Sequence, residues 1–414
     1  MRPEQHDKTN IWLFATYVLE KLRYNKSAVT AFQIILVFNL FFAVSACAEE
    51  GSLVKTLTGY NINEIAPAPS FKLKFGGWVE TGFSGNPQAP RNKSNYPVSF
   101  NDGANQFKLH QVYAYIEKEI DSSRNHWDIG MRADLLYGTD AKFSASTNFD
   151  TSIFGNDPKH QLVFPQLYAN VYAPIGNGLT LTVGHFYTLI GYESVMSPDN
   201  FFFSHAYTMR YGEPFTHMGA MLSYPINSNL SVKSGIVTGW DGLSRHIPNY
   251  MGSVNYVSDN EKTSLTAALI TGDARTASLH ENHNRTMYSI VMEHHFSEKL
   301  HYVLQHDFAT EVKTAESPSA AWYGINQYLL YDISNQLGVG LRFEWFHDKN
   351  GTRIMADGNN QDFIAVTAGL NYKPISGITL RPEIRYDRAT RHHVFRDGRD
   401  KDQVLLSASA ILHF

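Results

Sequence analysis

A single cysteine, Cys47, is the only thiol in 414 residues. That excludes an internal disulfide and any multi-cysteine metal site. Long apolar runs are scarce: only Thr30–Ala46 nears the roughly 20 residues that a membrane helix needs. Charge of one sign is not concentrated anywhere. The 35 basic and 39 acidic residues are interleaved and the net charge is -4, so no polybasic stripe offers a nucleic-acid contact. HExxH and GxSxG motifs are absent, and no catalytic set stands out among many Ser, His and Asp. The chain is therefore expected to be non-enzymatic, without cofactor or metal. The adjacent pairs His294-His295 and His392-His393 do not change this. Strand neighbours point to opposite faces, and the second pair sits in a predicted loop.

Aromatic residues, by contrast, are plentiful: 26 Phe and 23 Tyr raise the aromatic share to 13%. The apolar run Thr30–Ala46 follows Lys21, Arg23 and Lys26 and precedes Ala46-Cys47-Ala48. A charged segment, an apolar segment and a small-residue site in that order read as a secretory signal, with cleavage expected after Ala48. Val44-Ser45-Ala46-Cys47 also resembles a lipobox, in which Cys47 would carry lipid. Residues 1–48 are thus read as a signal peptide with an atypical N-terminal extension. Residues 49–70 are read as a periplasmic linker, with room for one helical turn.

From Phe71 onward the dominant pattern has a period of two, the mark of a two-faced strand. In Leu337–Trp345 one face carries Leu337, Val339, Leu341, Phe343 and Trp345, and the other Gly338, Gly340, Arg342 and Glu344. Trp127–Leu135, Ile378–Asp387 and Val404–Phe414 alternate likewise. About sixteen such segments are predicted: 71–83, 106–120, 126–136, 164–174, 178–188, 215–225, 228–240, 248–257, 262–272, 285–296, 298–310, 318–332, 335–347, 361–373, 377–388 and 402–414. Connections between them alternate between short and long. Strands of about ten residues with this loop pattern, behind a secretion signal, predict an all-β fold: one antiparallel transmembrane β-barrel over 71–414. Its short turns would lie in the periplasm and its long loops outside the cell. About sixteen strands leave an aqueous channel rather than a filled core.

Several segments resemble the putative β-barrel porin-2 family, also called OmpL-like. They are Phe75-Gly76-Gly77-Trp78-Val79-Glu80; Arg132-Ala133-Asp134 with Gly138-Thr139-Asp140; and Gly191-Tyr192-Glu193, Ser204 and Glu213-Pro214-Phe215-Thr216-His217 with Gly219. Gly235-Ile236-Val237 with Gly239-Trp240-Asp241, and Leu380-Arg381-Pro382-Glu383-Ile384-Arg385-Tyr386-Asp387, complete the ordered set. The resemblance implies an outer-membrane porin. It brings no catalytic residues and names no solute.

Charged residues on the polar faces are the candidate pore lining: Arg132, Asp134, Arg342, Glu344, Arg381, Glu383, Arg385 and Asp387, with Asp128 beside the first two. Opposed charges of this kind would set a transverse field in a narrow pore. Pairing among themselves, to keep a polar wall satisfied, is the plainer role. The loops 138–163 and 189–214 are candidates to fold inward and narrow the pore, or else to cap the surface; the second is aromatic, with Phe201, Phe202, Phe203, Tyr207 and Tyr211, and is expected to pack against something. The expected function is passive diffusion of small hydrophilic solutes. Alternatives are a structural or adhesive barrel and, further off, an outer-membrane enzyme. Expected partners are outer-membrane lipid and lipopolysaccharide of a Gram-negative cell, two further copies in a homotrimer, and the barrel-assembly machinery. The last would read the final strand ending in Phe414.

Overall fold

The computed structural model describes residues 51–64, 71–123, 125–157, 159–243, 248–274, 284–312 and 319–414. The predicted signal segment and Cys47 lie outside them. Alternating residues place one apolar and one polar row on each segment, and the segments pair edge to edge as antiparallel strands. In chain order these are β1 (Lys74–Gly85), β2 (Gln106–Lys118), β3 (Asp128–Gly138), β4 (Gln161–Val163), β5 (Leu167–Ala173), β6 (Leu179–Tyr187) and β7 (Thr216–Pro225). Then come β8 (Leu230–Val237), β9 (Asn249–Val257), β10 (Thr263–Asp273), β11 (Asn284–His295) and β12 (Leu300–Val312). The last five are β13 (Ser319–Ser334), β14 (Leu337–Asp348), β15 (Gln361–Tyr372), β16 (Ile378–Ala389) and β17 (Asp402–His413).

Each strand pairs with its sequence neighbours, and β1 also pairs with β17 from Trp78↔His413 to Gly85↔Leu406, so the sheet closes. Closure removes the two edges that an open sheet would expose. β4 and β5 both pair with β3 and are two halves of one strand, which makes the barrel sixteen-stranded. The sequence reading placed one strand at 164–174. Pro165 lacks the N–H a ladder needs, so the strand is interrupted at Phe164–Gln166 and begins earlier, at Gln161. Gln166 still accepts from the Asp134 backbone N–H at 2.8 Å across the break.

Exposure decides which face is out. Leu341 and Phe343 are 47% and 39% exposed, while Arg342 and Glu344 beside them are 0% exposed. A water-soluble barrel would reverse that order; a lipid-facing wall requires it. Exposed aromatics mark two belts: Trp127, Tyr256, Phe296 and Tyr331 near the short turns, and Phe83, Phe107, Tyr137 and Tyr250 near the long loops.

Inside, an apolar cluster gathers on the wall at the loop end, with Met251, Ile270, Met287, Trp322, Phe346 and Phe363 among its members. Ahead of the barrel, Leu53–Thr58 forms one short helix (α1), capped by Ser52 and ended by Gly59 at φ 74°. It lies beside the turn between β15 and β16, where Gly377 passes close to the Leu53 backbone. Asn63 then exchanges two hydrogen bonds with the Phe75 backbone, at 2.6 and 3.0 Å, and so fastens this segment to β1.

Candidate functional site: a loop pinned across the lumen

The segment between β6 and β7, residues 188–215, does not stay outside the barrel. It crosses the interior and reaches strands on the opposite wall. Its conformation is mostly irregular, with a single 3-10 turn at Ser197–Asp199 and a π-helical turn at Thr208–Gly212. An irregular segment leaves backbone N–H and C=O groups without internal partners, and burial makes each such group costly. The wall supplies the missing partners.

Acidic groups of the wall accept from loop N–H groups. Glu344 accepts from the Tyr207 and Thr208 backbones at 2.9 and 2.7 Å, and from the Thr208 hydroxyl at 2.9 Å. Glu383 accepts from the Phe203 and Ser204 backbones at 3.0 and 3.1 Å. Basic groups donate to loop carbonyls. Arg381 donates to Ser197, Asn200 and Phe202 at 2.8, 2.9 and 3.1 Å. Arg385 donates to the His205 carbonyl at 2.5 Å, and Arg342 to that of Ser204 at 2.6 Å. Charge-assisted bonds of this kind are the stronger class.

One further link is an ion pair. Glu193 on the loop pairs with Arg342 at 2.6 Å and accepts from the Tyr328 hydroxyl at 2.9 Å. His205 Nδ1 lies 2.9 Å from its other oxygen. Burial by itself would raise the Glu193 carboxyl; the Arg342 charge, with His205 and the Ala206 N–H, overcomes it and holds the group well below the ordinary carboxylate range. Behind the loop, Arg381 pairs with Glu80 of β1, and Arg385 with Asp387 at 2.7 Å. The Tyr207 hydroxyl donates to Asp387 at 2.8 Å.

Shape matches charge. Inward glycines of the wall form sockets for loop side chains. A Cβ on Gly340 would stand 2.4 Å from the Phe201 ring, one on Gly82 2.6 Å from Phe203, and one on Gly324 2.3 Å from the Thr208 hydroxyl. Within the loop, Gly191 turns at φ +84° and passes the Glu213 carboxylate so closely that a Cβ would lie 2.0 Å from it. Only glycine meets both demands. Glu213 is itself buried and accepts from Gln305 of β12 at 2.7 Å, which fixes the loop's return.

Of the eight nominated residues, Arg342, Glu344, Arg381, Glu383, Arg385 and Asp387 lie on the inner face, buried beneath this loop. Arg132 and Asp134 lie on β3, four strands round the wall from β16, bonded to each other at 2.8 Å, and Asp134 also takes the Gln166 amide at 2.8 Å. The two groups do not meet. The Arg132 side chain remains 16% exposed and sits 4.8 Å over the Tyr115 ring. Asp128 lies at the turn end and accepts from Lys118 at 3.0 Å. Away from the loop, the inner faces of β5–β10 carry Asn170, Thr182, Lys233, Asn255 and Thr266, of which Asn170 bonds Thr182 and Asn255 bonds Thr266. Among the described residues none of these five bonds to the loop.

The loop 138–163 stays at the loop end, with two short helical turns, Ala141–Ser144 (α2) and Asp150–Phe154 (α3). The sequence did not single out Glu193 or the glycine sockets for any role, and it marked Tyr207 only as one aromatic of a loop expected to pack against something. The signal for the first lay in Gly191-Tyr192-Glu193, quoted above for its likeness alone.

A closed barrel of sixteen strands, apolar outside and polar inside and crossed by an inward loop, defines an outer-membrane channel of porin type. The profile of the family described as "Putative beta-barrel porin-2, OmpL-like" matches residues 72–414, and the chain belongs to that family. Solved structures share the fold at low identity. An anion-selective porin from Comamonas acidovorans matches with TM-score 0.58 and 10% identity over 83% of this chain and 99% of its own. The outer membrane channel DcaP of Acinetobacter baumannii gives 0.55 and 10% over 83% and 97%. OmpT of Vibrio cholerae, in a trimer form, gives 0.53 and 12% over 83% and 99%. No curated protein matches the chain by sequence.

Proposed function

We propose that the protein is a passive diffusion channel for small hydrophilic solutes, narrowed by the loop 188–215. The observation that carries this reading is the pinning of that loop across the lumen by Glu344, Glu383, Arg342, Arg381 and Arg385. A purely structural barrel has no need of a fixed inward constriction beside a polar wall of Asn, Thr and Lys. Six of the eight candidate residues act on permeation through the loop they hold. Arg132, with Asp134 behind it, borders the remaining passage. The chain sits in the outer membrane with short turns in the periplasm, after removal of a signal ending at Ala48. It is delivered there through its last strand, ending in Phe414, and surrounded by lipid and lipopolysaccharide. It assembles as a homotrimer, as one fold relative does.

Planar bilayers test the main claim. Stepwise conductance is expected from the purified protein, and its absence at every salt concentration overturns the channel reading. The assembly is tested by the mass of the detergent-extracted complex, expected at three times the mature chain.

A further inference from the structure

Three arginines converge at the loop end of the lumen, outside the charged set that pins the inward loop. Arg210 stands on the π-helical turn of the inward loop, Arg285 at the start of β11, and Arg353 on the loop after β14. Aromatic rings seat all three. Arg285 lies 4.5 Å over Trp240 and 5.7 Å over Trp322; Arg353 lies 4.4 Å over the same Trp322. Arg210 lies 5.0 Å over Phe143 and 5.8 Å over Phe215. A cation held by a ring face keeps its N–H groups unused.

Among the described residues, most of those donors have no protein acceptor. Arg353 spends its Nε on the Tyr211 carbonyl at 2.6 Å. Arg210 makes no side-chain hydrogen bond or ion pair among the described residues, and its Nε is buried without a partner. Trp240 Nε1 is buried and unpartnered as well. Arg285 is the one that is paired, to Glu311 at 2.8 Å. The other nearby carboxylates are engaged by backbone: Asp348 accepts from the N–H groups of Thr352, Arg353 and Ile354, and Asp241 from those of Phe215 and Thr216. Burial, then repulsion from Arg285, pushes the Arg353 guanidinium down to about 9.

Planar guanidinium forks with free donors match the geometry of an oxyanion. We infer that Arg210, Arg285 and Arg353 form a binding site for a small oxyanion, a carboxylate or phosphate group on a permeating solute, at the loop end of the channel. The inference rests on the channel reading, since a diffusing solute is what would bring the anion there. Arg210 ties the two together, because it rides on the constricting loop.

The test separates binding from conduction. Phosphate and succinate are each titrated into the folded, detergent-solubilised protein, with calorimetry and tryptophan fluorescence as readouts. Saturable binding of at least one is expected, at least tenfold weaker in Arg210→Gln and Arg353→Gln. Phosphate alone or succinate alone binding assigns the group; neither binding overturns the site, as does unchanged affinity in both variants. Should Arg353→Gln fail to close its barrel, Arg210→Gln decides, since its side chain makes no hydrogen bond that the fold would lose. Bilayer recordings then report the channel reading independently. Binding without conductance leaves the site standing and removes the channel, and conductance without binding does the reverse.

Discussion

Glu193 ties the loop to the wall from the loop's side: it faces Arg342 of β14 and Tyr328 of β13, with His205 of the same loop on its other oxygen. Replacing it with Gln strands a fully buried guanidinium. Removing one partner of such a pair costs about 3–5 kcal/mol. Glu193→Gln should therefore loosen the loop, seen as larger and noisier single-channel currents in a barrel that still resists heat in detergent. Its depressed pKa also sets a direction in pH. The contribution is present above the ordinary carboxyl value and is lost only as pH falls toward the lower folded value. Asp150 behaves oppositely. Burial is the main cause that lifts its carboxyl to about 6, against bonds from the Phe164 and Ser146 N–H groups. A raised carboxyl contributes stability that is present at low pH and lost as pH rises through about 6. Protection factors across 141–155, exchange rates corrected for the intrinsic pH dependence of amide exchange, should accordingly be higher at pH 5 than at pH 7.5, and Asp150→Asn should flatten that difference. At this scale the sequence exposed which residues face inward, because period two is a local property. It could not expose their partners on the inward loop, which lie 136 to 184 residues away along the chain.

The strands were nearly all legible, within a few residues at each end, because lipid and lumen impose one simple alternation on every one of them. The broken strand at Pro165 was the exception, and the proline that explains it was in view. The loop between β6 and β7 was legible only as aromatic and long. Phe201, Phe202 and Phe203 signalled packing against something; the sockets that receive them are absences of side chain, scattered over β1, β14 and β15. Glycine on a strand's polar face reads simply as small. A variant that fills a socket tests the idea without touching a charge. Gly340→Val should displace Phe201, at about 1–3 kcal/mol for an overpacked contact. The expected result is faster uptake of uncharged sugars in liposome swelling, with ion preference unchanged. Faster uptake together with altered ion preference would mean that the charged ladder had moved as well.

For the whole molecule, closure is the controlling event. Phe414 donates its N–H to the Gly77 carbonyl at 2.9 Å and accepts from the Gly77 N–H at 3.2 Å, so the last residue completes the first strand's ladder. Its ring rests where a Cβ on Gly77 would stand, 2.6 Å away. Deleting Phe414 should reduce the heat-modifiable, folded fraction on gels without changing how much chain is made. Sixteen strands and their hand-over from lipid to lumen were readable because every strand repeats the same rule; the path of the inward loop was not, because it depends on all of them at once. That dependence has a kinetic consequence. The loop belongs to a hairpin near the middle of the chain, yet it is bonded to β11–β16, β1 and β2. Contacts of such long sequence separation form late, after the entropy of bringing distant segments together has been met. The full set of these bonds exists only once β1, β2 and β11–β16 stand in one wall, so docking is completed no earlier than closure, and protease nicking within 192–211 during refolding should cease only in the slowest phase.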